Sequence, residues 1–199
     1  MFKSLKQYEY IAVDLLYIRY DQFCNRLKKM LADDSWSWRN QKLNVQDILR
    51  DGQTNSGVIN RRIAVWPITK DRTVCLSNLT DGCGSVIYPL ELPNDFIRVA
   101  VSSDKRSNYR CKFEFKKEGV TRYIQTYWDS TKWVFYEDGE PMPFENKEYY
   151  RRRIKRQRLT YEIINEYLEA NGWFLNENNF WHSDKATYFI EKHKNKRDE

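Results

Sequence analysis

The chain is poor in the residues that most often carry chemistry. It has two histidines, His182 and His193, and neither sits in an HExxH pattern. Its four cysteines, Cys24, Cys75, Cys83 and Cys111, stand far apart and form no CxxC pair. Protein zinc sites are built from such clusters, so no metal is expected. The seven glycines spell neither GxxxxGK nor GxGxxG, which leaves no phosphate-cradling loop and no expected cofactor. Gly82-Cys83-Gly84 lacks a third glycine and a following helix. No apolar run approaches the ~18 residues of a membrane-spanning helix. The opening MFKSLKQYEYIAVDLL carries polar and acidic residues inside its apolar stretch and has no small-residue cleavage site, which argues against a signal peptide. Reduced, packed thiols and a cytoplasmic location are the expectation.

Nucleophilic and acid–base catalysis find little material. Cys83 lies in a glycine turn where a thiol can react, with His182 as the base that folding would have to supply, but the glycines already explain the turn. Asp138 and Glu140 flank Gly139, and turn chemistry accounts for both. The chain is therefore expected not to be an enzyme.

Aromatic residues and charge are what it does have. Phe, Trp and Tyr make up 16% of its 199 residues, so a packed globule is expected, and that length suits one domain. Charged residues reach 31% and the mean hydropathy is −0.84, which requires a heavily solvated surface. The net charge of +6 favours phosphate, acidic proteins or a membrane surface without choosing among them.

Along the chain, Leu5, Tyr8, Ala12, Leu15, Phe23, Leu27 and Met30 recur near helical spacing, and a long N-terminal helix over 4–33 is expected, with Ser4 as its cap. Trp36 and Trp38 stand at strand spacing. Asn44 can cap a short helix through Leu49, and 51–57 is the most turn-rich segment. From 61 to 137 the period changes to two. Strands are expected over 61–69, 72–78, 84–90, 95–103, 109–116, 121–128 and 132–137, with Pro67 and Pro89 at edges or bulges. A helical block over about 145–171 follows: a basic helix opening at Glu145 or Asn146 and ending at Arg158, then a helix capped by Thr160 and stopped by Asn171-Gly172. The remainder, 173–199, is a finishing element, with 184–190 a strand or short helix, and a tail. Strands at short spacing with helices grouped before and after them give an α+β fold: a mostly antiparallel twisted sheet, the long N-terminal helix and later helices packed against it.

Two sets of residues are candidates for binding. On a helix, Arg151, Lys155 and Arg158 share a face with Arg152 and Arg156 beside them, next to Tyr149 and Tyr150. Such a stripe can grip phosphates, meet a protein, or stay a solvated face paired with Glu145 and Glu148. In TRYIQTYW, Tyr123, Gln125 and Tyr127 face away from Ile124, Thr126 and Trp128. Exposed tyrosine beside arginine is what binding hot spots are made of, for a protein or a sugar alike. The residues expected to bind a partner are Arg151, Arg152, Lys155, Arg156, Tyr123 and Tyr127.

The stretch 132–173 joins a W-x-F-Y strand (Trp133, Phe135, Tyr136), a G-x-P-x-P-F-E turn (Gly139, Pro141, Pro143, Phe144, Glu145), a Tyr-rich basic helix (Tyr149, Tyr150, Arg158) and a helix ending near Gly-Trp. That organisation resembles the immunity proteins encoded beside bacterial polymorphic toxins of contact-dependent or type VI delivery. It covers about a fifth of the chain and carries over no functional residue. The resemblance implies a non-enzymatic protein that binds and blocks a cognate toxin. Immunity proteins against nucleases are commonly acidic, and this chain is basic, which either disfavours a nuclease target or requires the acidic residues to be clustered. The alternative is nucleic-acid binding through 151–158.

Overall fold

A computed structural model describes residues 10–32, 35–49, 62–78, 95–102 and 109–191. The Ser4 cap, the 51–57 loop, the 84–90 strand with Pro89, Cys83, His193 and the tail lie outside them. The described residues form an α+β fold with nine strands and three α-helices, and the strand pairings within each of its two compact units are antiparallel.

The first unit takes residues through Asp14 and 94–181. Its sheet is a meander of β5 (Phe96–Ser102), β6 (Arg110–Lys117), β7 (Val120–Trp128) and β8 (Trp133–Asp138). Glu118 and Gly119 form the two-residue turn between β6 and β7 at the place expected for it. One sheet face is apolar: Ile97, Val99, Val101, Cys111, Phe113, Phe115 and Ile124 are buried on it. Phe113 meets the rings of Phe144 and Tyr167 edge-on, which places the segment after β8 and the helix α3 (Tyr161–Ala170) on this face. In α3 the side chains of Ile163, Ile164, Tyr167 and Leu168 are buried, as their spacing requires. Thr160 caps it by accepting from the Ile163 N–H. At the other end Trp173 N–H reaches the Leu168 carbonyl, and Gly172 N–H that of Glu169, with Gly172 at φ 73°. Trp173 is buried behind this cap, whereas Phe174 is exposed.

Alternation along β6 puts Lys112 and Glu114 on the other face, where solvent is expected. Both are buried instead. Arg98 Nε donates to Asp14 Oδ1 at 2.6 Å, Lys112 Nζ lies 3.0 Å from Glu114 Oε2, and Arg98 Nη1 lies 3.7 Å from the same oxygen. Two cations and two anions thus compensate one another out of water.

The second unit takes 15–93 and 182–199. Its strands run in the order β2 (Trp36–Gln41), β9 (Ala186–Glu191), β3 (Arg62–Pro67) and β4 (Thr73–Ser77). The stretch 184–190, open between strand and helix from its sequence, is therefore a strand for most of its length. Helix α1 (Tyr20–Met30) buries Tyr20, Phe23, Cys24 and Leu27, and the short α2 (Val45–Leu49) follows Asn44, whose Oδ1 accepts from the Gln46 N–H.

The long N-terminal helix is not formed. Tyr10–Leu16 is a strand, β1, and the helix begins only at Tyr20. Apolar residues at 8, 12 and 15 satisfy a helical period, but 11, 13 and 15 satisfy a strand period equally well. Ile11 and Val13 are β-branched, and both are fully buried with Leu15. Tertiary burial decided between two periods that the sequence left degenerate.

The basic helix expected through Arg158 is not formed either. Lys147–Arg151 and Lys155–Gln157 are separate 3₁₀ turns, and the link between them is extended at Arg152 (ψ 136°) and Ile154 (ψ 107°). The Arg152 carbonyl accepts from the Arg158 guanidinium at 2.8 Å, and Arg152 Nη1 donates to the Gln157 carbonyl at 2.8 Å. These side chains close the segment as a loop.

Candidate binding faces and the arginine that anchors them

Arg122 has the same parity on β7 as Ile124 and Thr126, so its side chain enters the apolar face. It is 1% exposed. Its Nε donates to Glu145 Oε1 at 2.9 Å and its Nη2 to Glu145 Oε2 at 2.9 Å, a bidentate pair. Nη2 also reaches Glu137, and Nη1 donates to the Gly139 carbonyl at 2.7 Å. Burial opposes the charge on the guanidinium, but the two carboxylates outweigh it and push its pKa above the ordinary arginine value.

Glu145 is equally engaged. Its Oε1 accepts from the Met142 N–H at 2.9 Å and its Oε2 from the Tyr150 hydroxyl at 2.7 Å. Tyr150 has one proton, which goes to the carboxylate, so Tyr167 donates across the 2.8 Å contact between the hydroxyls. Burial raises both phenols, helped at Tyr150 by Tyr167 and Glu145, and Tyr167 is pushed to about 12. The cluster clamps the Gly139–Glu145 turn to β7. Gly139 stands at φ 80°, and a Cβ there would meet the Thr121 carbonyl oxygen at 2.2 Å. Phe144 packs on Phe113, Phe115 and Tyr167. Gly139, Phe144, Glu145 and Tyr150, which carry the resemblance in the sequence, are thus anchoring residues here.

The two candidate sets fall on opposite faces of the sheet. Pairing puts Tyr123 beside Asp138, Gln125 beside Tyr136 and Tyr127 beside Val134, away from Arg122 and Phe135. On that face Tyr136 is 51% exposed and meets the Tyr123 ring edge-on, while Tyr123 and Tyr127 are half-buried. Lys112 Nζ lies 5.0 Å from the Tyr123 ring centre, the Arg110 guanidinium lies 5.9 Å from that of Tyr127, and the Tyr123 hydroxyl donates to Gln125.

The basic segment belongs to the other face, where Arg158 lies 5.4 Å from the Phe135 ring and Phe135 packs on Tyr150. Arg151 pairs with Glu148 at 2.7 Å, both exposed. Arg152 stacks on Tyr149 at 4.3 Å, and Tyr149 donates to Glu166. Lys155 and Arg156 are exposed, and neither has an ion pair among the described residues. Glu145, expected to pair along the basic helix, turns inward to Arg122 instead. The Arg151–Lys155–Arg158 stripe therefore does not exist as one surface.

Sequence reasoning passed over Arg122, and it named Glu145 and Tyr136 without placing either in a site. The signal for Arg122 was present: a cation in phase with Ile124 and Thr126 needs a buried anion. Among the described residues, no three His, Cys, Asp or Glu side chains gather as a metal site, and no helix is long and apolar enough to cross a membrane. No family model, curated protein or solved structure matches the chain.

Proposed function

We propose that the chain is a non-enzymatic protein-binding protein, and that it serves as an immunity protein that neutralises a cognate bacterial toxin by covering its working surface. The observation that carries the binding reading is the tyrosine face of β7 and β8. Tyr123, Tyr127 and Tyr136 stand on a rigid antiparallel sheet with Arg110 and Lys112 against two of the rings. Rigid tyrosines with adjacent cations lose little entropy on contact and give large desolvated area, which is how hot spots form. The toxin reading rests on the resemblance of 132–173. The net charge of +6 speeds encounter with an acidic partner face.

The test is to express each gene adjacent to the one encoding this chain in a laboratory bacterium, with and without the chain. One neighbour is expected to stop growth alone and to be tolerated and co-purified when the chain is present. Tyr136→Ala should weaken that complex by about 2 kcal/mol. If no neighbour harms the cell, or if the complex ignores Tyr123, Tyr127 and Tyr136, this function is wrong.

A second reading, nucleic-acid binding through 151–158, draws on Arg153, Lys155 and Arg156, whose charges are exposed and unpaired among the described residues. It requires an affinity for duplex or single strand that falls steeply with salt and collapses on Arg152→Glu with Arg156→Glu.

A further inference from the structure

The first and last strands of the meander differ. β5 is buried along its whole length, whereas β8 is half-buried from Trp133 to Phe135 and exposed from Tyr136 to Asp138. The hydrogen-bonding parity of β8 follows from its hairpin. Trp128 N–H donates to the carbonyl of Tyr109, just before β6, at 3.2 Å. Even-numbered residues of β7 therefore turn their backbone groups to β6, and odd-numbered ones turn theirs to β8. The Asp129 N–H, which donates to the Lys132 carbonyl at 3.1 Å, continues the same alternation into the turn. Val134, Tyr136 and Asp138, which pair with Tyr127, Gln125 and Tyr123, thus turn inward. Trp133, Phe135 and Glu137 turn their N–H and C=O groups away from the sheet, and these groups have no hydrogen-bond partner among the described residues. Arg158 reaches β8 over the Phe135 ring, which is contact with a face and not with the edge. Edges are commonly blunted by a proline, a bulge or a central charge. WVFYED has none of these, and its register with β7 is unbroken.

What the edge does carry is self-complementary charge. Lys132 stands one residue before β8 and Asp138 ends it. Both are exposed, and neither has an ion pair among the described residues. We propose that β8 pairs antiparallel with β8 of a second copy of the chain, about a two-fold axis at Phe135. In that register Phe135 meets Phe135, Trp133 meets Glu137, Val134 meets Tyr136 and Lys132 meets Asp138 of the second copy. The outward backbone groups of the two strands then satisfy one another, and a Lys132–Asp138 pair closes each end. A parallel pairing would set like charge against like. A slip of two residues either way puts Asp138 opposite Val134 or Ser130 and gives up the pair. A strand of unrelated sequence has no reason to match both ends, whereas a copy of β8 does so by symmetry. The dimer brings the tyrosine faces of two copies side by side. It goes beyond the toxin-binding function and does not depend on it.

The experiment is sedimentation equilibrium of the full chain over a range of concentrations. A species of twice the 24.2 kDa chain mass is expected, dissociating on dilution. Lys132→Glu and Asp138→Lys, both at exposed positions, should leave the far-ultraviolet circular dichroism unchanged. Each should weaken the dimer by about tenfold, because each sets two like-charged pairs across the axis. Mixed in equal amounts, the two variants should form a heterodimer as tight as the parent dimer, since opposite charges then meet at both ends. The proposal is overturned if the chain is monomeric up to about 0.1 mM, which would leave the edge to a strand of another protein. It is also overturned if a dimer forms that ignores both substitutions, or if the mixture associates no better than its components. Either result places the interface elsewhere. None of these outcomes touches the effect of Tyr136→Ala on a toxin complex, so the two readings fail separately.

Discussion

Two basic regions lie within 40 residues of each other and behave oppositely. The run Arg151–Arg158 is dense in charge, yet its members are mostly exposed, and those that are engaged hold their own loop and its near neighbours, with Arg158 also lying against the Phe135 ring. Arg122 is a single cation among Thr, Tyr, Ile and Gln, yet it is buried and holds two carboxylates and a turn. Charge density along the chain does not measure how much work a charge does. Dielectric does: a pair at a wet surface is screened, whereas a buried one must be compensated or it unfolds its surroundings.

The largest expected effect is therefore at Arg122. Arg122→Ala strands Glu145 without its cation and should cost about 3–5 kcal/mol in urea unfolding. A loss below about 1 kcal/mol would show that Glu145 is not held as described. Next comes the turn that Arg122 clamps. Gly139→Ala combines a positive φ with a clash against the Thr121 carbonyl and should cost about 1–3 kcal/mol, read from the same curves. An unchanged midpoint would mean that the turn sits off β7.

The phenols behind Glu145 give a pH signature. Both are raised above the ordinary tyrosine value, so the folded state keeps them protonated while the unfolded chain ionises near pH 10. Their contribution is fully present below pH 10 and is lost as pH rises through about 12 at Tyr167. Stability should fall in that window by on the order of 1–2 kcal/mol, and Tyr150→Phe with Tyr167→Phe should flatten the slope. The smallest effect belongs to the exposed run. Arg151→Ala with Arg156→Ala should shift stability by less than about 0.5 kcal/mol, and a larger loss would end the contrast with Arg122.

Several features were legible before any coordinates. The period of two over β5 to β8, the Thr160 cap, the Asn171-Gly172 stop and the division of β7 into a Tyr123–Tyr127 face and an Ile124–Thr126 face all follow from residues acting within a few positions of themselves. The tyrosine half of the candidate site was readable for the same reason. The basic half was not, because a helical stripe presumes a helix, and the Arg152 and Arg158 side chains compete with the helix for backbone partners five and six residues away.

The amino-acid order by itself determined an α+β chain with a mostly antiparallel sheet, a capped amphipathic helix and one strand face of tyrosines, since propensity, capping and alternation are local. The tertiary structure alone decided that Tyr10–Leu16 is a strand, that Lys112 and Glu114 are buried, and that Arg122 reaches Glu145. Each of those depends on what packs against a residue from far along the chain, and burial changes the energy of a charge or an apolar side chain by more than any local preference does.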